Sequence, residues 1–154
     1  MQDFIAVLDF GSQYAHLIAK RIRHLGAYTQ IFSPSANENL LHKAKGIVLS
    51  GGPASVYSSD VPSFNLKMLD LDLPILGLCY GHQLITKEFG GTIANTGKGE
   101  FGKAILQYTS DFPLWQNVSF PNQVWMSHQD SVTKCPPEFE ITGVTESGSV
   151  AAMG

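Results

Sequence analysis

In the first half of the chain, apolar residues fall in short unbroken runs, separated by stretches whose apolar positions recur every three or four residues. Phe4-Ile5-Ala6-Val7-Leu8 shows no alternation of apolar and polar positions, the pattern of a strand buried on both faces of a parallel sheet. Asp9-Phe10-Gly11-Ser12 bounds it. Ser12 is placed to cap a helix whose apolar residues Ala15, Ile18, Ile22 and Leu25 repeat at helical spacing, and Gly26 suits the left-handed position that closes it. Residues 27–32 read as a second strand, 37–43 as a weak helix, and Gly46-Ile47-Val48-Leu49-Ser50 as a third strand running into Gly51-Gly52-Pro53. A short helix over 64–69, a fourth buried strand Pro74-Ile75-Leu76-Gly77-Leu78, and a helix over 83–89 closed by Gly90-Gly91 come next. Beyond them the pattern changes to extended pieces at 103–108, 124–127, 139–143 and 150–153, separated by Pro and Gly. The expectation is an α/β fold: a doubly wound, mostly parallel sheet flanked by helices, with a β-rich, partly antiparallel second half. A length of 154 residues without repeat, low-complexity tract or long linker predicts one domain over 1–154.

Charge and cysteine content narrow the partners. Ten basic against 13 acidic side chains give a net charge of -3, too little positive charge to release counterions along a phosphate backbone, so no nucleic acid is expected. No apolar run approaches the ~18 residues of a membrane span, and Asp3 stands where a secretory signal would carry a base, so the chain reads as cytoplasmic with no membrane partner. Cys79 and Cys135 alone make no disulfide framework, and two thiols without a His-rich tract predict no metal site.

Ligands of doubly wound sheets bind outside the carboxyl ends of the strands, which directs attention to the residues just after each apolar run. Gly77-Leu78-Cys79-Tyr80-Gly81 sits where a strand turns directly into a helix, the setting of a Gly-x-nucleophile-x-Gly elbow. A side chain on either side would obstruct the sharp turn that lifts Cys79 off the sheet, and the thiol would stand at a helix N-terminus, where the macrodipole favours the thiolate. An inert core cysteine is the competing reading, but it leaves both glycines without a purpose. The N–H groups of Gly52, after the neighbouring strand, and of Tyr80, after the nucleophile, are the two donors that a tetrahedral oxyanion requires. Three other matches fail on context. Asp9-Phe10-Gly11 lacks the rest of a kinase site, Gly97-Lys98-Gly99-Glu100-Phe101-Gly102 opens no helix and reads as a β-turn or flap, and Asn117-Val118-Ser119 is a glycosylation sequon only in a secreted protein. Of the histidines, His16, His24 and His42 belong to solvated helix faces, and His82 is too near Cys79 in sequence to face it. His128, in Trp125-Met126-Ser127-His128-Gln129-Asp130, follows a strand and is the one base the chain offers, unless that segment holds substrate through its backbone.

Taken in order, Asp9-Phe10-Gly11-Ser12-Gln13-Tyr14, Leu49-Ser50-Gly51-Gly52-Pro53, the stretch PILGLCYGHQLI over 74–85, Gly99-Glu100-Phe101-Gly102 and Met126-Ser127-His128-Gln129-Asp130 resemble the motifs of class I glutamine amidotransferases. The opening motif points to the branch that serves guanosine monophosphate synthesis. The resemblance implies glutamine as substrate, Cys79 as nucleophile, Gly52 and Tyr80 as oxyanion donors, and Gln83, Ser127, His128, Gln129 and Asp130 as the residues that hold the amino-acid end of glutamine. It also implies a partner, an ATP-pyrophosphatase synthetase domain or subunit that converts xanthosine monophosphate to guanosine monophosphate. ATP and Mg are expected only there, with no cofactor in the 154 residues themselves.

Ala15-His16 and Phe101 vary mildly from the family pattern, and Gln129 stands where this branch usually has glycine. Family members continue past a strand like 150–153 into one carrying Phe-His-Pro-Glu, whose His is the base and whose Glu orients it. The resemblance therefore puts both groups beyond Gly154, and residues 1–154 alone, C-terminally incomplete on this reading, are expected to turn over poorly. Two rival readings are a γ-glutamyl cysteine hydrolase using His128 as base and an inactive, truncated glutamine-binding module.

Overall fold

The apolar runs of the first half become strands β1 (Phe4–Leu8), β2 (Thr29–Phe32), β3 (Ala44–Leu49) and β4 (Ile75–Gly77). The computed structural model describes residues 2–52 and 55–154, the side chains of Thr96 and Lys98 excepted. All the pairings in this sheet are parallel, in the order β2-β1-β3-β4. The chain leaves β1 to one side for β2 and returns to the other side for β3, so the order reverses between β1 and β3. A crevice opens at the carboxyl ends of strands at such a point.

Helix α1 (Tyr14–His24) follows β1 and covers one face of the sheet. Its Ala15 and Ala19 pack with Val7 and Val48, and Ile5, Ile18, Ile22, Ile31 and Leu78 extend this cluster. Ala6, Leu8, Ile47 and Leu49 point to the opposite face and are just as buried. Both faces being covered explains why the runs show no polar alternation. The cap of α1 lies one residue later than the sequence suggested. Gln13 occupies the N-cap without a side-chain bond, while Ser12 Oγ accepts from the Tyr14 N–H at 3.2 Å. Gly26 has φ 92°, the left-handed conformation expected of it.

The weak helices shrink to single 3-10 turns, Glu38–Leu41 and Leu66–Met68. Asn37 and Asn65 start them by accepting from the N–H groups of Asn39 and Lys67. Strand β4 differs from the prediction: it ends the sheet, and Leu76 is 38% exposed.

Helix α2 (Tyr80–Glu88) starts directly after β4, three residues earlier than the periodicity placed it. The chain packs as two compact units, Met1–Leu84 and Ile85–Gly154, with the boundary inside α2. The second unit is a closed antiparallel barrel of β5 (Thr92–Tyr108), β6 (Asn122–Lys134), β7 (Ile141–Thr145) and β8 (Val150–Met153), ordered β5-β6-β8-β7. The predicted pieces 103–108 and 124–127 are parts of its two long strands. Among the described residues no helix is long and apolar enough to cross a membrane.

Candidate active site

Three strand ends meet at the crevice of the first unit. Ser50, fully buried just past β3, locks two of them together. Its N–H donates to the Leu8 carbonyl at 3.1 Å, and its Oγ accepts from the Phe10 N–H at 3.2 Å while donating to the Gly51 carbonyl at 2.9 Å. Gly11, at φ 92°, completes the loop after β1 by donating its N–H to Asp9 Oδ1 at 2.9 Å. On the other side the Leu78 N–H donates to the Leu49 carbonyl at 3.0 Å, carrying β3–β4 pairing one residue beyond the strand.

Cys79 comes next and is exposed. Its φ is 51°, a left-handed conformation that residues with a Cβ avoid. The flanking glycines explain how the turn closes. A Cβ on Gly77 would lie 2.5 Å from the Gly81 carbonyl oxygen, and one on Gly81 would collide with the carbonyl and side chain of Leu49. Neither neighbour is a flexible side-chain end, so both positions demand glycine. The Gln83 N–H donates to the Cys79 carbonyl at 3.1 Å, so helical bonding begins at the cysteine itself.

The thiol's electrostatics depart from expectation. The start of α2 favours a thiolate, but the surrounding chain withdraws the sulfur from water and pushes its pKa above the ordinary thiol value.

Gly51 and Gly52 run alongside, as the strand order predicted. A Cβ on Gly51 would sit 3.6 Å from Cys79 Cβ. One on Gly52 would stand 3.1 Å from the Phe10 carbonyl oxygen and 3.3 Å from Tyr80 Cγ, tighter than an ordinary contact. Tyr80 is buried, its ring 5.0 Å from that of Phe10. Its ring therefore packs in the interior beneath the elbow. Pro53, the last residue of the Gly-Gly-Pro motif, lies outside the described residues. Gln83 is buried one turn into α2, 8% exposed.

The remaining predicted site residues belong to the second unit and lie within β6, not after a strand. Inward and outward positions alternate along β6: Ser127 and Gln129 are exposed, while His128 and Asp130 are half-buried. Gln129 thus turns its side chain to solvent. His128 Nε2 lies 3.4 Å from Glu100 Oε2, and its Nδ1 is buried with no hydrogen-bond partner among the described residues. Glu100 entered the sequence analysis only as a member of the Gly99–Gly102 motif and without a role, because only the pairing of β5 with β6 sets it opposite His128. His16, His24 and His42 are exposed, as expected.

Fold and site define a class: an α/β protein that presents a cysteine on a strained strand-to-helix elbow beside the switch point of its sheet. The family model for glutamine amidotransferase class-I matches residues 6–154, and the chain belongs to that family. Among curated relatives, the GMP synthase [glutamine-hydrolyzing] of Fusobacterium nucleatum is 47% identical over 152 residues, covering 97% of this chain and 30% of that protein. The protein of the same name from Helicobacter pylori is 52% identical over 138 residues, covering 88% of this chain and 27% of its own. The chain thus spans 23–30% of the length of such curated relatives. The crystal structure of a Thermoplasma acidophilum protein, provisionally assigned as one subunit of a GMP synthase, superposes with a TM-score of 0.86 at 26% identity, over 100% of this chain and 78% of that one. A glutamine amidotransferase of Thermotoga maritima gives 0.80 at 16% identity, over 100% and 72%, and shares the fold.

Proposed function

We propose that this chain is the glutamine-hydrolysing part of an enzyme that makes guanosine monophosphate. The observation that carries the reading is Cys79, an exposed thiol held at φ 51° between two glycines that tolerate no Cβ. Its support comes from membership of the class-I amidotransferases and from relatives named GMP synthase [glutamine-hydrolyzing].

In this reading the Cys79 sulfur, losing its proton to a base, attacks the carboxamide carbon of glutamine. The N–H groups of Gly52 and Tyr80 stabilise the oxyanion. Collapse of the tetrahedral intermediate breaks the C–N bond, the nitrogen takes a proton, and ammonia leaves. Water then hydrolyses the thioester, returning the thiol and releasing glutamate. Gln83, Ser127, His128, Gln129 and Asp130 hold the amino-acid end of the substrate. Ammonia passes to a synthetase domain or subunit for the ATP- and Mg-dependent amination of xanthosine monophosphate, and this chain's own residues need no cofactor. A cytoplasmic location suits a free catalytic thiol, which a reducing compartment preserves.

His128 is poorly placed for the rival role of base. Its Nε2 faces the Glu100 carboxylate at 3.4 Å and its Nδ1 is buried, whereas a base must present a ring nitrogen to the thiol proton.

The test uses the intact enzyme with glutamine or free ammonia as nitrogen source. Cys79→Ala should lose glutamine-dependent product formation by ~10⁴-fold or more while ammonia-driven formation persists. Retention of the glutamine-dependent rate would overturn the reading.

A further inference from the structure

We propose that Glu100 is a positioning residue for glutamine binding, holding the segment of β6 around His128 in place where the barrel's own ladder is interrupted. The inference rests on the glutaminase reading, in which residues 127–130 contact the substrate.

The interruption is visible in the register. Asn95 pairs with Asp130 and Glu100 with His128, so residues 96–99 of β5 stand opposite the single residue Gln129. Four residues against one form a wide bulge, and backbone pairing cannot fix β6 there as it does elsewhere along the strand. Contact is nevertheless close: a Cβ on Gly99 would lie 3.0 Å from the His128 carbonyl oxygen and 3.3 Å from Gln129 Cα.

Side chains replace the missing ladder, and Glu100 is their hub. Its Oε1 accepts from Thr145 Oγ1 at 2.9 Å and from Ser147 Oγ at 2.5 Å, while its Oε2 faces His128 Nε2 at 3.4 Å. The carboxylate thereby bonds β5 to the end of β7 and the turn after it, and sets Oε2, which has no hydrogen-bond partner among the described residues, against the His128 ring on β6. The Glu100 and His128 side chains are only 15% and 19% exposed, so solvent screens their interaction little. Burial pushes the Glu100 pKa up, but the hydroxyls of Ser147 and Thr145 and the coulombic effect of His128 together outweigh it, leaving the pKa below its ordinary value and the group ionised at neutral pH.

A carboxylate acting through His128 makes a prediction that a merely structural one does not. In the intact enzyme, Glu100→Gln keeps an oxygen for the two hydroxyls but loses the charge. It should raise the KM for glutamine about tenfold, with kcat within about twofold and the ammonia-driven rate unchanged. In a His128→Ala background the same change should add less than about twofold, because the partner it acts through is gone. Glu100→Asp keeps the charge but withdraws it by one methylene, and gives the same comparison if the glutamine variant is unstable.

An unchanged KM in a folded Glu100 variant overturns the proposal, as does a full multiplicative effect on top of His128→Ala. If His128→Ala leaves KM untouched while Cys79→Ala abolishes hydrolysis, the glutaminase reading stands and the positioning role falls. If Cys79→Ala retains glutamine-dependent activity, the glutaminase reading falls and takes the positioning role with it.

Discussion

The backbone of Cys79 predicts a reversal in the usual ranking of alanine and glycine. At φ 51° a residue with a Cβ is strained, and the penalty for L-residues in this region is about 1–2 kcal/mol. Cys79→Ala removes the sulfur and keeps that strain. Cys79→Gly removes both, but its unfolded chain is freer, which costs about 0.5–1 kcal/mol. Taking the middle of each range, glycine should exceed alanine by about 0.75 kcal/mol, which in a chain of this size is about 2 °C in melting temperature. At an ordinary helical site such as Lys20 in α1 the order is opposite, with glycine worse by about 1 kcal/mol. Asn117, at φ 65° and exposed, supplies a second left-handed site where the same inverted order is expected. The assay is thermal or urea unfolding of six variants, alanine and glycine at each position. Because the sulfur is absent from both Cys79 variants, its own packing cancels in the comparison. An alanine variant as stable as the glycine variant at 79 would refute the claim that the elbow stores strain.

Three further outcomes are expected. Gly52→Ala and Gly52→Pro both crowd Phe10 and Tyr80, but only proline removes the N–H, so in the intact enzyme kcat should be ~10²–10³ lower for proline than for alanine once circular dichroism shows both folded; equal values would remove that N–H from the oxyanion role. Iodoacetamide should label exposed Cys79 well ahead of Cys135, whose half-buried sulfur contacts the Phe139 carbonyl at 3.4 Å, and the Cys79 rate should keep climbing with pH beyond the ordinary thiol range because its pKa is raised; a plateau near neutral pH would contradict that direction. Glu100 has a folded pKa below its ordinary value, so it adds stability above the ordinary carboxylate range and loses it as pH falls through the folded value; Glu100→Gln should flatten the acid limb of a stability-against-pH curve, and an unaltered limb would count against the hydrogen-bonded hub.

How much of this was legible in the sequence differs between the two halves of the chain. Runs such as Phe4–Leu8 announce buried parallel strands because both faces of the sheet are covered, and the glycines around Cys79 announce the elbow because a Cβ at either would meet backbone. Such signals are local. The approach of Gly51 to Cys79 could be anticipated because the Gly-Gly-Pro motif follows the strand preceding that of the elbow, whereas the strand order came from the structure. The barrel was harder to read. Strand β5 runs through Gly97, Gly99 and Gly102, two of them at positive φ, which local propensity scores as a turn. Strand β6 exposes Trp125 to 71% and half-buries Asp130, so its alternation does not follow hydrophobicity. The role of Glu100 depends on contacts with residues 28, 45 and 47 positions away, beyond the reach of any local pattern.

The raised thiol pKa of Cys79 bears on how a glutaminase of this design would work. A helix N-terminus stabilises a neighbouring anion by about 0.3–1 kcal/mol. Partial withdrawal of the sulfur from water acts in the opposite sense and raises its pKa above the ordinary thiol value. A thiol is a poor nucleophile and also a poor target for stray alkylation or oxidation, since both proceed through the thiolate. Strain and exposure ready the sulfur's position, while its proton must be removed by a base brought against it. Under the glutaminase reading, attack then waits on assembly of the site around substrate, and the elbow alone stays quiet. The pH dependence of alkylation separates this arrangement from a pre-ionised cysteine, because a thiolate already formed at rest would react at a rate nearly flat from neutral pH upward.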